Sequence, residues 1–126
     1  VMRVCVDIDG VICNFKNKNQ SYSDVEPIDG AVEKINNLRA NGHYIILYTA
    51  RRMKTHNSNL GLVINDIGKI TIDWLEKYGI EYDEIYFGKP WANVYIDDNA
   101  YRFKSWDLIN DSGDNLPISN EDQVGK

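Results

Sequence analysis

The chain has 126 residues and a mass of 14.5 kDa, with 43% apolar and 26% charged residues, which suits one folded domain with its own core and leaves no room for a second. Its formal charge of −5 argues against extended contact with nucleic acid or anionic membrane, which clustered Lys and Arg drive. The early apolar stretch 1–13 is broken by Arg3, Asp7 and Asp9, so it reads as neither a secretion signal nor a membrane span, and a cytoplasmic location is expected.

Residues 2–8 are almost continuously apolar, the pattern of a central parallel strand covered on both faces, and that strand ends on Asp7 and Asp9. Gly10 and the polar run after it predict a flap near 11–27, with Phe15 and Tyr22 as its apolar content. Asp29 is positioned to cap a helix that carries Val32, Ile35 and Leu38, and Asn41 with Gly42 ends it. Residues 44–48, YIILY, form the next buried strand and lead into Thr49, Ala50, Arg51 and Arg52. The amide-rich stretch 53–65 predicts a loop, followed by a helix through Ile67, Ile70, Trp74 and Leu75 that Gly79 closes. Short strands are expected at 84–87 and 94–96, separated by Gly88, Lys89, Pro90 and Trp91, and a helix at 101–109. A single domain over 1–110 with a loosely held polar tail at 111–126 follows.

This alternation is that of a Rossmann-like open parallel α/β sheet flanked by helices, in which ligands sit at the carboxyl ends of the strands. The chemistry-bearing residues fall at such ends: Asp7 and Asp9, then Thr49, then Lys89, then Asp97 and Asp98. Phosphoryl transfer requires an in-line nucleophile, a proton donor for the leaving oxygen and positive charge around the equatorial oxygens. Asp7 suits the first role, Asp9 the second, and Lys89 with the hydroxyl and backbone of Thr49 the third. Carboxylates crowded this way call for a hard cation, and Mg²⁺ prefers oxygen ligands, so Asp97 and Asp98 complete a metal site. Gly10 supplies the tight turn, and with Ala50 and Arg51 it is expected to line the substrate pocket.

DIDGV at 7–11, YIILYT ending at Thr49, FGKP around Lys89 and VYIDDNA around Asp97 and Asp98 resemble, in order and spacing, the four motifs of the haloacid dehalogenase superfamily. The resemblance spans the chain to about Ile109. It implies a phosphatase with an aspartyl-phosphate on Asp7, Asp9 as general acid and then base, and Mg²⁺ held by the Asp7 side chain, the Asp9 carbonyl and Asp98, with Asp97 acting through water or on Lys89. The segments between motifs are too short for a cap domain, so the open site is expected to take a large substrate or to be closed by a neighbouring subunit, in a dimer or tetramer. Similar short proteins are associated with surface polysaccharide biosynthesis, which suggests a small sugar phosphate as substrate.

Other readings compete. Receiver domains share an acidic pair, Asp, Thr and Lys, but in another order, and a catalytically silent binding module keeps the fold without turnover. Arg52 and Trp91 read as surface or packing residues as readily as substrate contacts, and His43 and His56 as exposed structural residues. Cys5 and Cys13 lack metal-ligand spacing and read as reduced thiols, Cys5 buried in its strand.

Overall fold

The computed structural model of the protein describes residues 1–117. The order of elements is β1 (Arg3–Asp7), α1 (Ala31–Ala40), β2 (Tyr44–Thr49), α2 (Leu60–Lys77) and β3 (Glu84–Phe87), with one 3-10 turn at Trp106–Leu108. The three strands form a parallel sheet in the order β1-β2-β3. Asp7 pairs with Tyr48 and Thr49 with Phe87, so the carboxyl ends lie side by side. It is an α/β fold with no cap domain, and among the described residues no helix is long and apolar enough to cross a membrane.

Strand alternation decides what is buried. Ile45 and Leu47 of β2 are fully buried with Ile35 and Leu38 of α1 and Trp74 and Leu75 of α2 in one core, and Val4 and Val6 of β1 join them. Both helices therefore cover the same face, as two right-handed crossovers running in one direction across a sheet require. Among the described residues no helix covers the opposite face. Tyr44, Ile46 and Tyr48 are half-exposed there, Cys5 and Tyr86 exposed, and an Arg3–Glu84 ion pair at 3.0 Å spans β2. Coverage of β1 on both faces, and burial of Cys5, are thus corrected: an apolar run specifies a strand without specifying what packs on each side.

Several boundaries also move. Gly30, at φ 83°, and not Asp29, is the N-cap residue of α1, with no side-chain cap. α2 begins at Leu60, inside the stretch expected as loop, because the Asn59 side chain accepts from Leu62 N at 3.3 Å and caps it. Residues 94–96 are not a strand, and 101–109 contain only the 3-10 turn. That turn is anchored by Trp106, which packs on Phe103 and donates to Val11 O at 2.7 Å.

Residues 11–27 contain no helix or strand, and their stems are fixed. Ile12, Cys13 and Val25 are buried, and Trp74 Nε1 donates to Val25 O at 2.8 Å. Residues 111–117 are held rather than loose: Lys34 pairs with Asp111, and His43 is buried between Met2 N, which donates to its Nδ1 at 3.0 Å, and Ser112 O, which lies 2.6 Å from its Nε2. Those partners make His43 a buried structural residue, not an exposed one. The tail expectation for 118–126 lies outside the described residues.

Candidate active site

Asp7 is the last residue of β1, where the sheet stops and its side chain turns toward a cleft of about 390 Å³ at the carboxyl ends. Its Oδ1 accepts from Ile8 N at 2.9 Å, and its Oδ2 lies 3.0 Å from Lys89 Nζ. Lys89 reaches there because Gly88, at φ 98°, turns the chain back after β3 and Lys89 N donates to Thr49 O at 3.0 Å. The ammonium also lies over the rings of Tyr95, at 4.4 Å, and Tyr48, at 5.5 Å.

Asp9 is held by a different cation. Arg51 Nε contacts Asp9 Oδ1 at 3.1 Å and Oδ2 at 3.0 Å, while the Thr49 hydroxyl reaches Oδ2 at 3.4 Å and the Cys13 thiol Oδ1 at 3.5 Å. Arg51 is buried; its Nη1 donates to Thr71 Oγ1 at 3.0 Å and its guanidinium stacks on Tyr22 of the flap at 4.2 Å. Asp7 and Asp9 thus share one cleft but have separate positive partners, which keeps their roles distinct. Burial first, and then the Asp9 carboxylate, pushes the Cys13 thiol up to about 12, so a neutral thiol sits beside Asp9 and is no nucleophile. Burial and then Asp9 likewise raise the Tyr22 hydroxyl above its ordinary 10.0.

Charge separates this cleft from the rest of the surface. Lys16, Arg51, Arg52, Lys54 and Lys89 line it against only Asp7 and Asp9, five cations to two acids in a chain of net charge −5. Such a local reversal favours an anionic ligand. A groove of about 380 Å³ along α2 has Lys69 and Lys77 balanced by Asp66 and Asp73 and lies away from both site aspartates.

Of the other residues singled out in the sequence, Ala50 and Trp91 line the cleft, with Lys54 Nζ 4.9 Å above the Trp91 ring. Thr49 is fully buried, and its hydroxyl is engaged with Asp9 and Arg51 N. Gly10, at φ 84°, a conformation strained for other residues, lies under the Phe15 ring, where an added Cβ would sit 2.6 Å from Phe15 Cζ and displace that ring. Arg52 takes a left-handed φ of 61° on the cleft wall, a strained conformation for a side-chain-bearing residue. His56 is outside, paired with Asp66 at 2.8 Å.

Asp97 and Asp98 are exposed and do not line the cleft. Asp97 Oδ1 accepts from Asn99 N at 3.1 Å in a local turn. Among the described residues no group of three or more acidic, His or Cys side chains is disposed to hold a cation. One chain alone therefore does not fit the expected Mg²⁺ site.

Sequence reading missed Thr71, Lys16 and Lys54. For Thr71 a signal existed: it is a polar residue between Ile67 and Trp74 on the buried stripe of α2, where an unpartnered hydroxyl is costly. For the two lysines there was none, because a solvated lysine and a cleft lysine look alike in sequence.

A structural-genomics target from Vibrio cholerae is 33% identical over 81% of this chain and 84% of its own, with a TM-score of 0.74. This chain belongs to the same family as that Vibrio cholerae protein. A chain of a Pnkp1/Rnl/Hen1 complex shares the fold at 21% identity and a TM-score of 0.52, over 78% of this chain and 31% of its own. No family model matches the sequence, and no curated protein does.

Proposed function

We propose that this protein is a cap-less phosphatase of the haloacid dehalogenase type that hydrolyses a phosphate monoester through an aspartyl-phosphate on Asp7. The observation that carries this reading is the Asp7 carboxylate at the carboxyl end of β1, 3.0 Å from Lys89 in a cleft where cations outnumber acids. Both the cleft and the order of the four motifs favour phosphate chemistry.

In the first step an Asp7 oxygen attacks phosphorus, the bond to the leaving oxygen breaks, and protonated Asp9 gives that oxygen its proton. In the second, water attacks the phosphorus of the acyl phosphate, Asp9 takes the proton, and the P–O bond to Asp7 breaks to release inorganic phosphate. Lys89 offsets the charge gathering on Asp7 and the phosphoryl oxygens. Arg51, bound to both Asp9 oxygens, orients Asp9 so that one carboxyl edge serves both steps. Magnesium belongs to the proposal as the superfamily's cofactor, but the single chain does not assemble its ligands, and both steps above are written on protein groups alone.

The cleft is open above, with Trp91 exposed at its rim, which suits a sugar phosphate whose ring stacks on an aromatic face. Surface polysaccharide biosynthesis is the corresponding proposal for its pathway. The direct test is turnover of p-nitrophenyl phosphate and a panel of sugar phosphates by wild type and Asp7→Asn. Loss of all but background turnover with an unchanged far-UV spectrum is expected. A variant retaining more than about a tenth of the rate, a barrier change under about 1.4 kcal/mol, removes Asp7 as nucleophile. A wild type that binds phosphate esters without turnover establishes the silent binding module instead.

A further inference from the structure

Two cations of the cleft are taken by the site carboxylates: Lys89 lies against Asp7 and Arg51 against Asp9. Arg51 has no nitrogen left for a ligand, since Nε is on Asp9, Nη1 on Thr71 and Nη2 3.5 Å from the Cys13 thiol. Three more cations line the same cleft, Lys16 from the flap and Arg52 and Lys54 from the loop after β2. No ion pair among the described residues joins any of the three to Asp7 or Asp9.

Their surroundings keep that charge available. The chain has 19 acids for 14 Lys and Arg, yet none of the ion pairs among the described residues involves Lys16 or Lys54. Each sits on an aromatic ring instead: Lys16 Nζ is 5.6 Å from the Tyr22 centroid and Lys54 Nζ 4.9 Å from that of Trp91. A ring face attracts an ammonium but supplies no countercharge, so it places the cation without neutralising it. The Arg52 guanidinium lies 5.3 Å from the same Tyr22 ring, and its side chain is 34% exposed. Its Nε is buried without a hydrogen bond, because Asp66 Oδ2, 3.4 Å away, is poorly aligned and is bonded to His56 at 2.8 Å. The loop holds Arg52 at its left-handed φ of 61°: Met53 N donates to Ala50 O at 3.1 Å and His56 N to Arg52 O at 3.0 Å. A strained arginine with an unused donor on a cleft wall is a feature of ligand binding more than of packing.

The charge left over says what the ligand carries. Five cations against two acids leave the cleft at +3. A phosphate monoester brings about −2 at neutral pH, so about one unit of positive charge stays unanswered. We infer that Lys16, Arg52 and Lys54 form a second anion subsite, and that the substrate carries a carboxylate or a further phosphate besides the phosphoryl group that is transferred. Lys16 and Arg52 share the Tyr22 ring, which keeps them within reach of one oxyanion. Arg52 offers a planar fork to it and the lysines point charges. The adjacent arginines thereby divide their work, Arg51 holding Asp9 and Arg52 receiving the second charge. Among sugar phosphates this selects acidic sugars and bisphosphates over neutral monophosphates. Which group is transferred rests on the phosphatase reading; the subsite stands on the unpaired lysines, the rings and the Arg52 backbone.

The test separates binding from turnover. Calorimetry on the wild type, with Mg²⁺ present throughout, compares alkylphosphonates of graded chain length that end in a methyl group, a carboxylate or a second phosphonate. These are not esters and are not hydrolysed, and the two acidic ends tell which anion the subsite takes. The best-matched acid-ended compound is expected to bind about tenfold more tightly than its methyl-ended counterpart. Lys16→Gln, Arg52→Gln and Lys54→Gln combined are expected to bring that ratio below about twofold. Lys77→Gln, in the α2 groove away from the cleft, is expected to leave it unchanged. The single variants give the same reading should the combined one lack a cooperative thermal transition. No tighter binding of an acid-ended compound at any chain length, an undiminished ratio in the cleft variants, or an equal loss in Lys77→Gln overturns the subsite. In the turnover arm kcat/KM is compared for phosphogluconate against glucose phosphate and for fructose bisphosphate against fructose phosphate. The acidic member of at least one pair is expected to lead by about tenfold, and the combined variant to lose that lead. Equal values within both pairs overturn the substrate class and leave the phosphatase reading in place. A wild type that prefers the acid-ended phosphonates but turns over no ester sinks the phosphatase reading and leaves the subsite.

Discussion

Replacing Arg51 by methionine keeps most of the side-chain volume and removes the charge, which isolates what the guanidinium does. In the native protein its side chain is 0% exposed and that of its partner Asp9 20%, so little water is available to replace the lost bonds. The change strips Asp9 of the ion pair it makes with Arg51 and Thr71 of a hydroxyl partner. Breaking a buried pair by deleting one member costs about 3–5 kcal/mol, and the partial exposure of Asp9 points to the lower end, about 3 kcal/mol. For a domain of this size that is a fall in Tm of about 10–15 °C. Urea denaturation of Arg51→Met, Asp9→Asn and the double variant measures it as a cycle. Because most of the single-variant cost comes from a carboxylate left unpaired, Asp9→Asn in the Arg51→Met background is expected to recover about 1–3 kcal/mol. A loss under about 1 kcal/mol for Arg51→Met, or additivity within about 0.5 kcal/mol, would refute the view that Arg51 is there to hold Asp9.

The other predictions divide between mechanism and environment. Asp9→Asn is expected to lose about 10²–10⁴ in rate on an alkyl phosphate, which needs the proton, and to show a stoichiometric burst of phenolate with p-nitrophenyl phosphate before slow turnover; equal losses without a burst take the proton from Asp9. EDTA is expected to abolish turnover and Mg²⁺ to restore it, whereas unchanged rates in EDTA remove magnesium from the proposal. The Cys13 thiol, ordinarily near 9.0, is raised to about 12 in the folded protein, so between those values the native state keeps a proton that the unfolded chain releases. Stability therefore falls as pH rises through that window, and Cys13→Ala is expected to flatten the fall relative to wild type; parallel pH profiles would contradict it.

Much of the local structure was legible because its causes are local. The apolar runs ending at Asp7, Thr49 and Phe87 are the three strands, and the helical spacing of Ile35 with Leu38 and of Ile67 with Trp74 is the buried stripe of each helix. The convergence of Asp7, Asp9 and Lys89 on one cleft was also readable, since parallel strands in register bring their carboxyl ends together. What the amino acids determined alone is thus the alternation of elements and the residue types at each strand end. Tertiary structure decided the partners. That Arg51 reaches Asp9 and Thr71 across 42 and 20 residues, that both helices share one face, and that Val94, Tyr95 and Ile96 have the composition of a strand without pairing as one in this chain depend on distances between segments. A residue's neighbours in sequence constrain its backbone through propensity and periodicity; its neighbours in space depend on how whole elements pack across the sheet.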